Sequence, residues 1–185
     1  MRVVSGTARG RVLKAVPGDT TRPILDRVKT ALFDILRPEL EGITMLDLFG
    51  GSGSVGIEAL SQGAAFCYFL DISKNAVETI RENLKTTGFE AKAEVRNTDA
   101  FTFLRNTVKS FDLIYVAPPQ YKGIWGDVMR FLGERPQLVN DGGLVVVQID
   151  PKEYEDIGLA AFDEEKRKRY GNTELIFYRK PSAHS

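Results

Sequence analysis

The residues best suited to chemistry sit in one stretch, Leu46-Asp47-Leu48-Phe49-Gly50-Gly51-Ser52-Gly53-Ser54-Val55-Gly56. Gly51, Gly53 and Gly56 spell G-x-G-x-x-G, and Asp71 follows Gly51 by 20 residues. That spacing fits a strand-to-helix turn that brings backbone close to a nucleotide, with an acid placed for a ribose hydroxyl. The same glycines also suit a plain tight turn. Asp47 separates two nucleotide classes. A carboxylate aimed into the loop repels a diphosphate and suits a ligand with an ammonium group and no phosphate. S-adenosylmethionine is such a ligand, carrying adenosine, a sulfonium and an amino-acid tail. NAD stays as the alternative on the glycine spacing alone. At Asp99-Ala100, an acid or its neighbouring backbone can meet an adenine amino group. Each acid also reads as a helix N-cap, Asp99 most simply.

The second chemical segment is Ala117-Pro118-Pro119-Gln120-Tyr121. Two prolines are stiff and donate no backbone hydrogen bond. Such a loop can hold a carbonyl toward an exocyclic amino group. Methyl transfer to nitrogen is an in-line displacement that asks mainly for position and orientation. The plain reading of the segment is a turn that ends a strand.

Composition excludes other chemistries. One cysteine, Cys67, closes no intramolecular disulfide. With one histidine, His184 in the C-terminal tail, it cannot complete a structural zinc site or a histidine-based triad. No metal is expected. No run of about 18 apolar residues is present, and the N-terminus lacks a long apolar h-region, so no membrane partner and a cytoplasmic location are expected. Lys plus Arg equals Asp plus Glu at 25 each. The zero net charge hides a basic start: residues 1–30 hold seven cations and two anions. A second cluster, Lys166-Arg167-Lys168-Arg169, lies near the end. Local patches matter more than totals for a polyanionic partner, although charge runs are also ordinary solvated faces.

The elements that must position these residues follow from periodicity. Residues 2–16 read as a hairpin around Gly6 and Gly10, and 24–36 as a helix with Pro23 in its first turn. Apolar runs at 43–49, 66–70, 91–96, 111–116 and 144–149 read as strands, with 140–143 as a turn. Helices are expected after the glycine loop, from Ser73 to Gly88, after Asp99, and at 125–133. Residues 159–169 and 173–179 read as a final antiparallel pair. Apolar strands alternating with helices give an α/β fold, mostly parallel, with an antiparallel edge pair. Residues 1–40 form a basic extension of hairpin plus helix, and 41–185 form the ligand-binding domain.

These motifs together resemble the RsmD-type methyltransferases, which modify the exocyclic N2 amino group of a guanine in small-subunit (16S) ribosomal RNA. The resemblance rests on Arg2-Val3-Val4-Ser5-Gly6 with Arg9-Gly10-Arg11, on Thr21-Arg22-Pro23 leading into Asp26–Phe33, on Leu46–Gly53 with Gly56–Ala59, and on Tyr170-Gly171-Asn172-Thr173. It implies a Rossmann-like class I methyltransferase sheet, S-adenosylmethionine as donor, and ribosomal RNA or an assembling small subunit as partner, with the chain a monomer. It implies that Asp47, Gly51 and Gly53 line the donor's tail, with Phe49 and Gly50 beside them. Asp71 falls to the ribose, with Ile72 also binding the cofactor, and Asp99 and Ala100 to the adenine. Arg9, Arg11, Arg22 and Arg27 fall near RNA phosphates. A flipped-out base is expected, because an amine inside folded RNA cannot otherwise reach the sulfonium.

The chain departs from that family at one motif. The family's tetrad is Asp/Asn-Pro-Pro-aromatic, whereas here it reads Ala117-Pro118-Pro119-Gln120 with Tyr121 one position later. Ala117 offers no side-chain acceptor. The Pro118 carbonyl remains, and Tyr121 or Trp125 is left to stack on the base. A non-catalytic RNA-binding protein that keeps the S-adenosylmethionine fold is the competing expectation.

Overall fold

The computed structural model describes residues 1–18 and 23–183. Thr21, Arg22 and His184, each named above, lie outside the described residues. The elements in chain order are α1 (Asp26–Leu36), β1 (Thr44–Asp47), α2 (Ser54–Ser61), β2 (Phe66–Asp71), α3 (Lys74–Thr87) and β3 (Ala93–Asn97). They continue with α4 (Ala100–Asn106), β4 (Phe111–Val116), α5 (Ile124–Glu134), β5 (Val139–Ile149), β6 (Asp163–Tyr170) and β7 (Thr173–Arg179). No described helix is long and apolar enough to cross a membrane.

One sheet of seven strands runs in the order β3-β2-β1-β4-β5-β7-β6. The first five are parallel, and β7 lies antiparallel between β5 and β6. Parallel strands with both faces covered are apolar on both faces. Met45, Tyr115, Val146 and Phe177 pack under α1 to α3, and Leu46, Ile114, Val145 and Ile176 pack under α4 and α5. The chain leaves β1 toward β2 on one side and meets β4 on the other. That reversal opens a crevice beyond the carboxyl ends of the strands, where ligands bind in such sheets.

The local chemistry explains the helix ends. Ser73 caps α3 by accepting the Ala76 N–H at 3.3 Å, and Gly88 ends it in the left-handed region. Asp99 caps α4 by accepting the Thr102 N–H at 3.0 Å. The plain N-cap reading of Asp99 is therefore realised.

Four expected elements differ. The N-terminal hairpin has a single bridge, Arg2 with Val12, and no strands. Its backbone is satisfied partly across the hairpin, where Val3 N–H donates to the Arg11 carbonyl, Gly10 N–H to the Val3 carbonyl and Leu13 N–H to the Met1 carbonyl, and partly by α2. The Val4 and Ser5 N–H groups donate to the Glu58 carboxylate, Thr7 N–H to the Ser61 carbonyl and Ala8 N–H to Ser61 Oγ. Helix α1 starts at Asp26, so Pro23 precedes its first turn. The segment 140–143 is a bulge within β5, not a turn before it. Val139 already pairs with Phe111, Gly142 N–H donates to the Lys180 carbonyl, and register resumes at Leu113 with Leu144. Strand β6 begins at Asp163, not at 159, because its partner β7 ends at Arg179, opposite Asp163. Residues 159–162 turn inward, burying Phe162.

Candidate active site

Two glycines in the loop between β1 and α2 do different work. Gly53 is the N-cap of α2 at φ 84°, a left-handed conformation that disfavours side chains. Gly56 faces β2 so closely that a Cβ there would lie 2.3 Å from Phe69 Cε1. That contact lets α2 sit directly on the sheet. The loop is pinned from several sides. Gly50 N–H donates to the Leu70 carbonyl at 2.7 Å, Asn83 Nδ2 to the Ser52 carbonyl at 2.8 Å, and Gly51 N–H to Asp71 Oδ2 at 2.9 Å. Asp71 Oδ1 accepts Ser73 N–H at 2.9 Å. Asp71 thus ties the loop to the start of α3 while lining the crevice.

Asp47 ends β1 and is 1% exposed. Its Oδ1 has no hydrogen-bond partner. Burial pushes its carboxyl up to about 7, against the backbone N–H of Phe49, which lowers it, and with the charge of Asp71, which raises it further. An isolated buried carboxylate is costly, and such a group either takes a proton or meets a cation.

These residues line one crevice of about 830 Å³. Of the expected cofactor residues, Asp47, Phe49, Gly50, Gly51, Asp71, Ile72, Asp99 and Ala100 line it, and Gly53 does not. Gly53 is buried beneath the loop as a helix cap. Ala117, Pro118, Pro119 and Gln120 line the same space. Tyr121 does not. At φ 62° its ring turns away, its hydroxyl donates to Asp150 Oδ2 at 2.6 Å, and its N–H donates to Glu153 Oε1. That bond raises the Tyr121 hydroxyl's pKa and lowers that of the Asp150 carboxyl. Trp125, the other ring expected to stack on a base, is 2% exposed in the core beneath α5.

The expected RNA-facing arginines are spread out. Arg9 and Arg11 are exposed on the turn docked against Ser61, at the end of α2 away from the glycine loop. Arg27 is exposed at the start of α1. Its Nη2 lies 3.9 Å from where a Cβ on Gly171 would sit.

Sequence reasoning missed Tyr115 and Gln148, both on the crevice wall. Tyr115 pairs in register with Asp47 and with Val146, so Gln148 of β5 stands on that same face of the sheet. The Tyr115 hydroxyl donates to Gln148 Oε1. Burial and the Asp47 charge push the Tyr115 hydroxyl up, so it stays protonated. The register continues from Val116 with Val147, which brings Ala117 beside Gln148. Only this pairing reveals Gln148. The N-terminal segment also reaches the crevice through Met1, Val16, Pro17 and Ile24.

A family model described as "Conserved hypothetical protein 95" matches residues 1–179. The chain belongs to this family. Ribosomal RNA small subunit methyltransferase D of Haemophilus influenzae is 37% identical over 75% of this chain and 73% of its own length. The resemblance to RsmD-type methyltransferases read from the sequence is thereby borne out. The solved structure of yhhF from Escherichia coli superposes with a TM-score of 0.88 at 27% identity, covering 98% of both chains. An RNA methyltransferase from Salinibacter ruber, in complex with S-adenosyl-L-homocysteine, shares the fold at a TM-score of 0.68. It is 17% identical, covering 86% of this chain and 94% of its own. The family's expected Rossmann-like sheet, parallel with an antiparallel edge pair, is the sheet found here.

Proposed function

We propose that the chain is an S-adenosylmethionine-dependent methyltransferase acting on the exocyclic N2 amino group of a guanine in small-subunit ribosomal RNA. The observation that carries the donor assignment is the unpartnered, buried Oδ1 of Asp47 at the floor of the crevice. An ammonium group meets that atom and holds the carboxyl ionised. A pyrophosphate finds no counter-charge there, which disfavours the NAD reading. The volume of the crevice lies in the usual range for small-molecule sites. The named relative from Haemophilus influenzae and the fold neighbour in complex with S-adenosyl-L-homocysteine support the same donor and an RNA acceptor.

When bound, S-adenosylmethionine supplies a methyl group made electrophilic by its sulfonium. The chain's own residues bind and orient. Asp47 takes the ammonium group, and the Phe49–Gly51 backbone meets the amino-acid tail. Asp71 holds the loop and meets the ribose with its remaining acceptor capacity. Ile72 lies beside Asp71, and the start of α4 at Asp99 and Ala100 flanks the adenine. Because the Asp99 side chain already caps α4, the backbone there is the better partner for the adenine amino group.

The target amine needs an acceptor that orients its lone pair. Ala117 supplies none. The Pro118 carbonyl supplies one, and Gln148 Oε1, which keeps a free lone pair beside the Tyr115 hydroxyl, supplies another from the neighbouring strand. No acid–base residue is required for the displacement, which agrees with a crevice that, among the described residues, is lined by no histidine or cysteine.

The test is labelled-methyl transfer to small subunits lacking the modification, followed by nucleoside analysis. N2-methylguanosine is the expected product. A labelled product at another atom overturns the target assignment. RNA binding and donor binding without any turnover support the non-catalytic reading, which the Ala117 and Gln120 departures motivate.

A further inference from the structure

Strand β6 is exposed along seven of its eight residues and forms one edge of the sheet. Its charges are sorted along its length. Asp163, Glu164 and Glu165 occupy the first half, and Lys166, Arg167, Lys168 and Arg169 the second. Pairing with β7 fixes where each half lies. Asp163 faces Arg179, at the end of the sheet away from the crevice, and Tyr170 faces Thr173, which lines the crevice. The cations therefore stand at the crevice rim and the acids at the far end.

The side chains are sorted again by face. Arg167 faces Ile176, packs its guanidinium 3.8 Å from the centre of the Tyr154 ring and pairs with Glu174. Glu164 accepts from the Tyr154 hydroxyl, and Glu165 pairs with Arg179. Lys166 and Lys168 face Phe177 and Leu175, on the side of the sheet covered by α1. Among the described residues, neither lysine has an ion-pair partner. Arg27, at the start of α1, reaches the Gly171 turn beside them. A strand rises about 3.3 Å per residue, so Lys168 is about 7 Å and Lys166 about 13 Å along the edge from Tyr170.

We propose that Lys166 and Lys168, continued by Arg27, form a phosphate-binding ridge that holds the RNA strand flanking the target base. The inference rests on the RNA-substrate reading above and adds a surface to it. Arg9 and Arg11 sit at the distal end of α2, whereas this ridge borders the crevice itself. Two unpartnered lysines in line suit successive backbone phosphates, which such contacts bind without reading sequence. Lysines on an edge strand also guard against strand-to-strand association. That role asks for charge anywhere along the edge and does not explain the sorting toward the crevice.

The experiment titrates unmodified small-subunit ribosomal RNA with the full chain across a range of NaCl. It compares the wild type with Lys166→Gln/Lys168→Gln and with Lys85→Gln/Lys92→Gln toward the opposite edge. S-adenosylmethionine affinity serves as the fold check. The ridge variant is expected to flatten the slope of log affinity against log salt by about 1.4 to 1.8, two phosphate contacts' worth, with donor affinity unchanged. The control pair should leave the slope alone. A wild-type slope in the ridge variant, or an equal loss in the control, overturns the ridge. A wild-type slope with new self-association assigns the lysines to edge protection. If the wild type binds no RNA and transfers no methyl group, the functional reading falls and takes the ridge with it.

Discussion

Lys29 Nζ lies 3.2 Å from Glu58 Oε1, and both side chains are wholly shielded from solvent. The pair joins α1 to α2, and it is saturated by its surroundings. Lys29 also donates to the Arg2 carbonyl at 2.7 Å and to Ser54 Oγ at 2.9 Å. Glu58 accepts from Val4 N–H, Ser5 N–H and Gln62 Nε2. One buried ion pair thus anchors the N-terminal segment, α1 and the helix that follows the glycine loop.

Removing one member leaves the other charge buried. Lys29→Met is expected to destabilise the fold by about 3–5 kcal/mol. The double variant Lys29→Met/Glu58→Gln should recover part of the loss, because no uncompensated charge then remains. Urea unfolding of the three proteins checks this. Equal stability of Lys29→Met and wild type would show that the pair holds nothing together.

Asp47 makes donor binding depend on pH. Its folded-state pKa, about 7, exceeds the ordinary 3.8 of the unfolded chain. Between these values the folded form keeps a proton that the unfolded form has lost, so this group's contribution to stability declines as pH rises from about 4 to about 7. A cationic ligand needs the ionised form. Affinity for S-adenosylmethionine should therefore fall toward tenfold per pH unit below about 7 and level off above it. Binding at pH 6 should release a proton. Calorimetry in two buffers of different ionisation enthalpy measures both effects. Asp47→Asn should bind weakly with no pH dependence, and a flat wild-type profile would refute the assignment.

Gly56 tests the close seating of α2. A methyl group there meets the buried Phe69 ring. Gly56→Ala should lose about 1–3 kcal/mol through overpacking. Phe69→Leu in the same chain should restore part of that by making room. If the single variant unfolds at the wild-type urea concentration, α2 has space that the 2.3 Å approach denies.

The sequence made the parallel strands legible because their apolar runs are near-continuous, and β4 and β7 span the residues expected of them. The glycine loop was equally plain, since its spacing and the acids near it act locally. Lys29 was not. In sequence it is one cation of a basic stretch, and its burial depends on Glu58, Ser54 and the Arg2 carbonyl, all distant along the chain. The N-terminal hairpin falls short of regular strands for the same reason: part of its backbone is held by the Glu58 carboxylate and by the carbonyl and hydroxyl of Ser61 in α2. Tyr121 reads as a stacking ring until its positive φ and its bond to Asp150 turn it outward. Gln148 has no local signature, because its neighbour Ala117 is reached only through strand register.

Gln148 gives the sharpest test of how the target amine is held. Replacing it with leucine keeps the volume near Ala117 but removes the carboxamide and leaves the Tyr115 hydroxyl without its acceptor. Loss of one oriented hydrogen-bonding group of this kind lowers turnover by about 10²–10³-fold. Gln148→Leu should therefore reduce kcat by that order while S-adenosylmethionine affinity stays at the wild-type level. Introducing an acceptor on the adjacent strand, as Gln148→Leu/Ala117→Asn, should return a measurable part of the rate. Single-turnover methyl transfer with saturating donor separates this from binding. If Gln148→Leu turns over like the wild type, the Pro118 carbonyl orients the amine alone, and the neighbouring strand has no share in the chemistry.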